Sequence, residues 1–106
     1  MRPEILRVTL DSGVLVMLDS DSLAMLDISL SQYGGIDVRA ERPGGDGGTE
    51  YPQTLFSGRV EVGESVRIGL HNGDSIALRL VSIRNDKANL AVSAPEGYLF
   101  HGDGIG

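Results

Sequence analysis

The stretch VEVGESVRIG, residues 60–69, sets the pattern on which the fold prediction rests. Apolar side chains recur at every second position on both sides of Gly63-Glu64, as expected for two half-buried β-strands joined by a turn. Glycine suits this turn because it tolerates a positive φ angle. The same alternation predicts strands near residues 4–10, 13–18, 22–30, 35–41, 55–61, 65–70, 75–83, 87–93 and 97–101. No window of about 11 residues keeps a helical apolar stripe free of glycine, so an all-β protein is predicted.

The composition narrows the class of protein. The length of 106 residues predicts one small domain. The absence of cysteine excludes disulfides and thiolate zinc sites, and the cytoplasm is the expected compartment. No stretch approaches the roughly 18 apolar residues that cross a bilayer, so no membrane association is expected. Nine basic and fifteen acidic residues give a net charge of -6, which opposes non-specific binding to phosphate and argues against a DNA-binding role.

The two halves of the chain match each other at an offset of 52 residues. Their apolar positions coincide without a gap, and identical residues occur at Arg7/Arg59, Val8/Val60, Val14/Val66, Leu18/Leu70, Leu26/Leu78, Pro43/Pro95 and Gly45/Gly97. We therefore predict a single domain over residues 1–106 that is made of a repeat at 1–45, a glycine-rich linker at 46–54 and a second repeat at 55–106. Two copies can share a core that one copy of about 50 residues would lack.

The second repeat also carries a family motif. Residues 62–69, VGESVRIG, resemble the V-G-E-[ST]-x-x-I-G signature of the carbon storage regulator (CsrA/RsmA) family of small bacterial RNA-binding proteins. The similarity continues through Asp74, Ala94-Pro95, His101 and Ile105. It covers about two fifths of the chain, and the combination of motifs is more specific than any one of them.

The resemblance implies both a fold and a function. Members of this family are homodimers with interleaved strands, so a tandem repeat is expected to form a single-chain pseudo-dimer, a small antiparallel β-barrel or sandwich. They bind GGA-containing RNA loops, which implies a non-enzymatic post-transcriptional regulator of translation that binds single-stranded or hairpin mRNA. The candidate RNA-binding residues are Arg7, Arg59, Arg67, Arg84 and His101.

Two departures from the family pattern motivate an alternative function. The family has adjacent arginines before V-G-E and an arginine after the late histidine, whereas this chain has Arg59-Val60-Glu61 and Gly102 at those places. Bidentate arginine contacts contribute about 1 to 3 kcal/mol of base discrimination. The alternative is an acidic protein-binding or structural assembly module that has lost RNA recognition and binds a protein partner or further copies of itself.

No pattern predicts an enzyme, a metal site or a cofactor. Serine, histidine and aspartate are present, but their spacing does not indicate a catalytic triad, which leaves a hydrolase as a weak third alternative. Asp11, Asp19 and Asp21 lack the spacing of an EF-hand. The GGDGG run at residues 44–48 is not followed by the Lys-Ser/Thr of a phosphate-binding loop, so we interpret it as a connector. His71 and His101 are interpreted as structural or exposed residues.

Overall fold

The computed structural model describes residues 4–43 and 53–102, which form nine β-strands and no helix. The strands are β1 (Glu4–Thr9), β2 (Ser12–Leu18), β3 (Asp21–Leu30), β4 (Ile36–Arg42), β5 (Gln53–Val60), β6 (Ser65–Gly69), β7 (Ser75–Arg84), β8 (Lys87–Ser93) and β9 (Tyr98–His101). Each predicted strand is present, with both ends within about two residues of the predicted positions. Among these residues there is no helix that could cross a membrane.

The strands form two antiparallel sheets with one shared core. The four-stranded sheet has the order β1-β8-β7-β6, and the five-stranded sheet has the order β5-β4-β3-β2-β9. Alternate side chains of both sheets point inward and form one buried apolar cluster. The all-β prediction is confirmed. The described strands do not close into a barrel, because β1, β6, β5 and β9 are all edge strands.

The two halves exchange their first strands. β1 pairs with β8 of the second half, whereas β5, the first strand of the second half, pairs with β4 of the first half. The registers repeat at the offset of 52 residues, since Val8 lies opposite Ala88 and Val60 lies opposite Ile36. The same relation holds within the halves, where the matching pairs are Val14/Leu26 with Val66/Leu78 and Ile28/Val38 with Leu80/Leu90.

Gly63 and Glu64 form the turn between β5 and β6. Glu64 N donates to Glu61 O at 2.9 Å, and Gly63, in the third position of this turn, has a φ of 90°. A positive φ at that position is what a type II turn requires, which explains the glycine. The Glu64 side chain closes the turn, because its Oε1 accepts a hydrogen bond from Glu61 N at 2.8 Å.

The equivalent turn of the first half has a positive φ at the same position with different residues. Asp11 occupies the position of Gly63 and has a φ of 66°, which aspartate tolerates better than most residues. Its N–H donates to Ile28 O at 2.8 Å, just as Gly63 N donates to Leu80 O at 2.8 Å. The two turns therefore share a positive φ and one backbone hydrogen bond, with different side chains.

The connector between the halves is shorter than the sequence predicts at its C-terminal end. β5 begins at Gln53, so residues 53 and 54 of the predicted linker belong to a strand. Residues 44–52, which contain the glycine-rich run, lie outside the described residues. β4 continues through Arg42. The start of β5 is explained by pairing, since Gln53 lies opposite Arg42.

Tyr98 links the two sheets at one end of the molecule. It begins β9 of the five-stranded sheet, and its partly buried hydroxyl reaches the turn between β6 and β7 of the other sheet. The Tyr98 hydroxyl donates to Asp74 Oδ2 at 2.7 Å and accepts a hydrogen bond from Asn72 Nδ2 at 2.9 Å. Burial raises the pKa of Tyr98, and the hydrogen bond and charge of Asp74 raise it further, while the hydrogen bond from Asn72 lowers it.

Tyr98→Phe is expected to lower the free energy of unfolding by about 1–3 kcal/mol, because it leaves Asp74 without its hydroxyl donor. The raised pKa also makes stability depend on pH. Neutral Tyr98 stabilises the fold fully below the unfolded pKa of 10.0, and this contribution is lost as the pH rises through the higher folded value. Urea unfolding at pH 8 and pH 11 checks both effects. Tyr33→Phe is the control, since Tyr33 is exposed; equal pH dependence of wild type and Tyr98→Phe would contradict the assignment.

Candidate nucleic-acid interface

Charge is distributed unevenly between the two sheets. The strands of the four-stranded sheet contain one acidic residue, Glu4, and five basic residues, which are Arg7, Arg67, Arg79, Arg84 and Lys87. The strands of the five-stranded sheet contain three basic residues and four acidic ones. In a chain of net charge -6, positive charge is therefore concentrated on the four-stranded sheet.

The five basic residues occupy outward positions of their strands. Arg7 and Arg79 each lie between two buried residues, and Arg67 lies between half-buried Val66 and buried Ile68. A bulge between Leu80 and Ser82 shifts the register of β7, so that Arg84 lies opposite Lys87. We call the outer surface of β1, β8, β7 and β6, which carries these five residues, the basic face.

A depression of about 320 Å³ opens on the basic face near the β7–β8 turn. It is lined by Arg7, Arg84, Asn85, Asp86, Lys87 and Asn89. Two of these side chains are held in place, since Lys87 Nζ donates to Thr9 Oγ1 at 3.0 Å and Asn89 Nδ2 donates to Ser82 Oγ at 2.8 Å. The three cations of this lining outnumber its one carboxylate, Asp86, so the depression favours an anionic group such as phosphate.

Small side chains separate the cations on the rest of the basic face. Arg79 lies opposite Ala91 on one side and Ser65 on the other. Arg67 pairs with Ala77, and its Nη1 lies 3.4 Å from Ser75 Oγ. Alanine and serine project little from a sheet, so the surface around Arg67 and Arg79 is open to an extended ligand. Ile5, opposite Ala91 on β1, is a larger exposed side chain on this face.

The structure brings together three of the five residues predicted to bind RNA. Arg7, Arg67 and Arg84 share the basic face, whereas Arg59 and His101 belong to the other sheet. Arg59 has a local structural role, since its Nη1 donates to Tyr33 O at 3.0 Å, to Gly34 O at 3.1 Å and to Glu61 Oε1 at 2.8 Å. These contacts tie β5 to the loop before β4.

His101 lies on the outer face of the five-stranded sheet, opposite Leu15. Gly102 follows it at the position where the family resemblance implies an arginine. A Cβ atom at Gly102 would lie 2.4 Å from Gly13 O and 3.3 Å from Val14 Cα. A side chain at this position would require the backbone to move, so the close approach of the chain to β2 accounts for the glycine.

Arg79, Lys87 and Asn89 were not predicted as site residues, although the sequence contained a signal for them. They fall at the polar positions of the alternating patterns in residues 75–83 and 87–93. Lys87 and Asn89 are two positions apart, so their side chains point to the same face of a strand. They match no position of the family motif, so the resemblance does not imply a role for them. Counting charges separately for the outward positions of each predicted strand would have selected Arg79 and Lys87.

Among residues 4–43 and 53–102, no three histidine, aspartate or glutamate side chains come together as a metal site. Comparison of the chain with protein-family models, with curated proteins and with solved structures finds no match.

Proposed function

We propose that this chain is a non-enzymatic RNA-binding regulator that holds single-stranded or looped RNA on its basic face. The observation that carries the proposal is the segregation of five cations, without an outward acidic residue, on one sheet of an acidic protein. Repulsion by the other surfaces does not prevent binding, because exposed charges are screened beyond about 8–10 Å at physiological salt. The nearby cations act on a bound phosphate over shorter distances.

The arrangement suits a phosphate backbone on an open surface. Arginine donates to phosphate oxygens in a fixed fork, while lysine acts as a point charge. Asn85 and Asn89 line the same depression and supply amide groups that hydrogen-bond to sugars or bases. Sequence preference would come from these amides and from the unpaired bases of a loop, which expose their edges.

We further propose that the chain is a tandem duplication, a single-chain pseudo-dimer of the carbon storage regulator type. The exchange of first strands and the repeated registers support this proposal. The duplicated faces differ in charge. The positions equivalent to Arg67, Arg79, Arg84 and Lys87 are Leu15, Asp27, Gln32 and Gly35. Only one face of the pseudo-dimer is basic, so one RNA is expected per chain.

The proposal is tested by a fluorescence-anisotropy titration of a labelled hairpin with a GGA loop against a scrambled-loop control, at 50 and 200 mM salt. If all five cations contact phosphates, the slope of log K against log salt is about -3.5, so affinity falls by about 100-fold between the two salts. Tighter binding of the GGA loop would support a regulator of the proposed class. Absence of binding at 50 mM salt would refute it and favour the alternative of a protein-binding or assembly module.

A further inference from the structure

The outer face of the five-stranded sheet carries a group of apolar side chains that the core does not require. Leu15 lies opposite Met25, and Met17 lies opposite Leu99, so the four residues are neighbours on one surface. Leu99 is 54% exposed, and the other three are half-buried. We call Leu15, Met17, Met25 and Leu99 the apolar patch. A Cβ at Gly13 would lie 2.9 Å from Met25 Sδ, so Met25 extends the patch over that glycine.

The internal repeat shows that this fold does not need an apolar surface there. The residues that correspond to Leu15, Met17 and Met25 in the second half are Arg67, Gly69 and Ala77. Those residues lie at matching registers on the basic face, so the sheet forms there with charged or small side chains at these positions. Clustered exposed apolar side chains mark interaction sites, and methionine adapts to varied partners.

The apolar patch is bordered by acidic side chains. Glu41 lies opposite Met25, and Asp27 follows Met25 by two positions on the same face. Asp19 and Asp21 lie at the turn that follows Met17 on β2. The cation nearest in register, Arg39, is ion-paired with Glu41 through its Nε at 2.5 Å. Arg39 offsets the charge of Glu41 and lies opposite Asp27, so Asp19 and Asp21 supply the charge that complements a ligand combining apolar and basic residues.

The patch also adjoins an open strand edge. Within the described residues β9 pairs with β2 alone, so its other side has no strand partner. At the start of the strand, Tyr98 N donates to Pro95 O at 3.4 Å. Leu99 and His101 point to the same outer face as the patch. An extended segment can add to such an edge through main-chain hydrogen bonds, while alternate side chains select the sequence.

We propose that β9 and the apolar patch bind an extended segment of a partner protein, whose alternate side chains are apolar and whose flanks carry lysine or arginine. The segment adds as a strand beside β9. An apolar side chain of the segment packs against Leu99, the patch residue on β9, and a basic flank approaches Asp19 and Asp21 near the Tyr98 end of β9. This surface lies on the opposite sheet from the basic face, so RNA and the protein segment do not compete for one site.

The test uses the full chain, labelled with 15N, and two acetylated and amidated probe peptides, KLTLTLK and its charge-reversed counterpart ELTLTLE. KLTLTLK is expected to shift amide resonances in β9 and β2 and to bind at least 10-fold more tightly than ELTLTLE. Leu99→Ser is expected to weaken binding at least 10-fold. Ile5→Ser is the matched control, because Ile5 is 62% exposed on an edge strand of the other sheet.

Three outcomes would overturn the proposal. The first is equal affinity for the two peptides, and the second is binding that Leu99→Ser does not change. The third is concentration-dependent dimerisation in sedimentation that Leu99→Ser abolishes, without binding of KLTLTLK at millimolar concentration, which would assign the patch to a second copy of the chain.

Discussion

Leu78→Ala and Leu26→Ala are each expected to lower the free energy of unfolding by about 2–5 kcal/mol. The two leucines lie 52 residues apart at matching strand registers, both are almost completely buried, and both belong to the one apolar cluster. Because β1 pairs with β8 and β4 pairs with β5, neither half can unfold without breaking ladders of the other. Each substitution is therefore expected to shift a single unfolding transition of the whole chain.

Urea denaturation followed by circular dichroism and by tyrosine fluorescence measures this effect. Leu30→Ala is the control, because Leu30 is 59% exposed on the same strand as Leu26 and its loss should change stability by no more than about 0.5 kcal/mol. Two separate transitions, of which Leu26→Ala shifts one and Leu78→Ala the other, would show that the halves are independent domains and would contradict the exchanged topology.

The double variant Arg84→Gln, Lys87→Gln is expected to bind the GGA-loop hairpin about 30- to 100-fold more weakly than wild type at 50 mM salt. Both side chains line the depression on the basic face. Loss of two phosphate contacts reduces the magnitude of the salt slope from about 3.5 to about 2.1, so the variant loses only about 20-fold in affinity between 50 and 200 mM salt.

The double variant Arg39→Gln, Arg42→Gln is the matched control for this prediction. It changes the net charge equally, but both arginines lie on β4 of the other sheet. Affinity and salt slope are expected to stay close to those of wild type. Equal weakening by the two double variants would mean that net charge rather than the basic face determines binding. Unchanged urea unfolding of both proteins verifies that the fold is retained.

Strand positions were predictable because they are encoded locally. Alternation of apolar and polar residues fixes which side chains point inward, and residues such as Gly63 and the Asn72-Gly73 pair identify the turns. The inward residues of the predicted strands, such as Val16, Leu26 and Leu90, are buried as the pattern indicated. These elements needed no information from distant parts of the chain.

The candidate site was only partly predictable, because it depends on pairing between distant strands. Arg7 lies near Lys87 and Asn89 because β1 pairs with β8 of the second half. The alternation of apolar and polar residues does not specify this pairing. The bulge after Leu80 decides that Arg84 lies opposite Lys87. The family resemblance instead implied Arg59 and His101 as RNA-binding residues, and the fold places both on the other sheet.

The most direct test of the proposed RNA interface is a map of amide chemical-shift changes as unlabelled GGA-loop hairpin is added to the 15N-labelled full chain. The largest changes are expected in β1, β7, β8 and the Asn85-Asp86 turn, and they are expected to saturate at one RNA per chain. Largest changes in β2 and β9 around His101, or saturation at two RNAs per chain, would contradict an RNA site on the basic face.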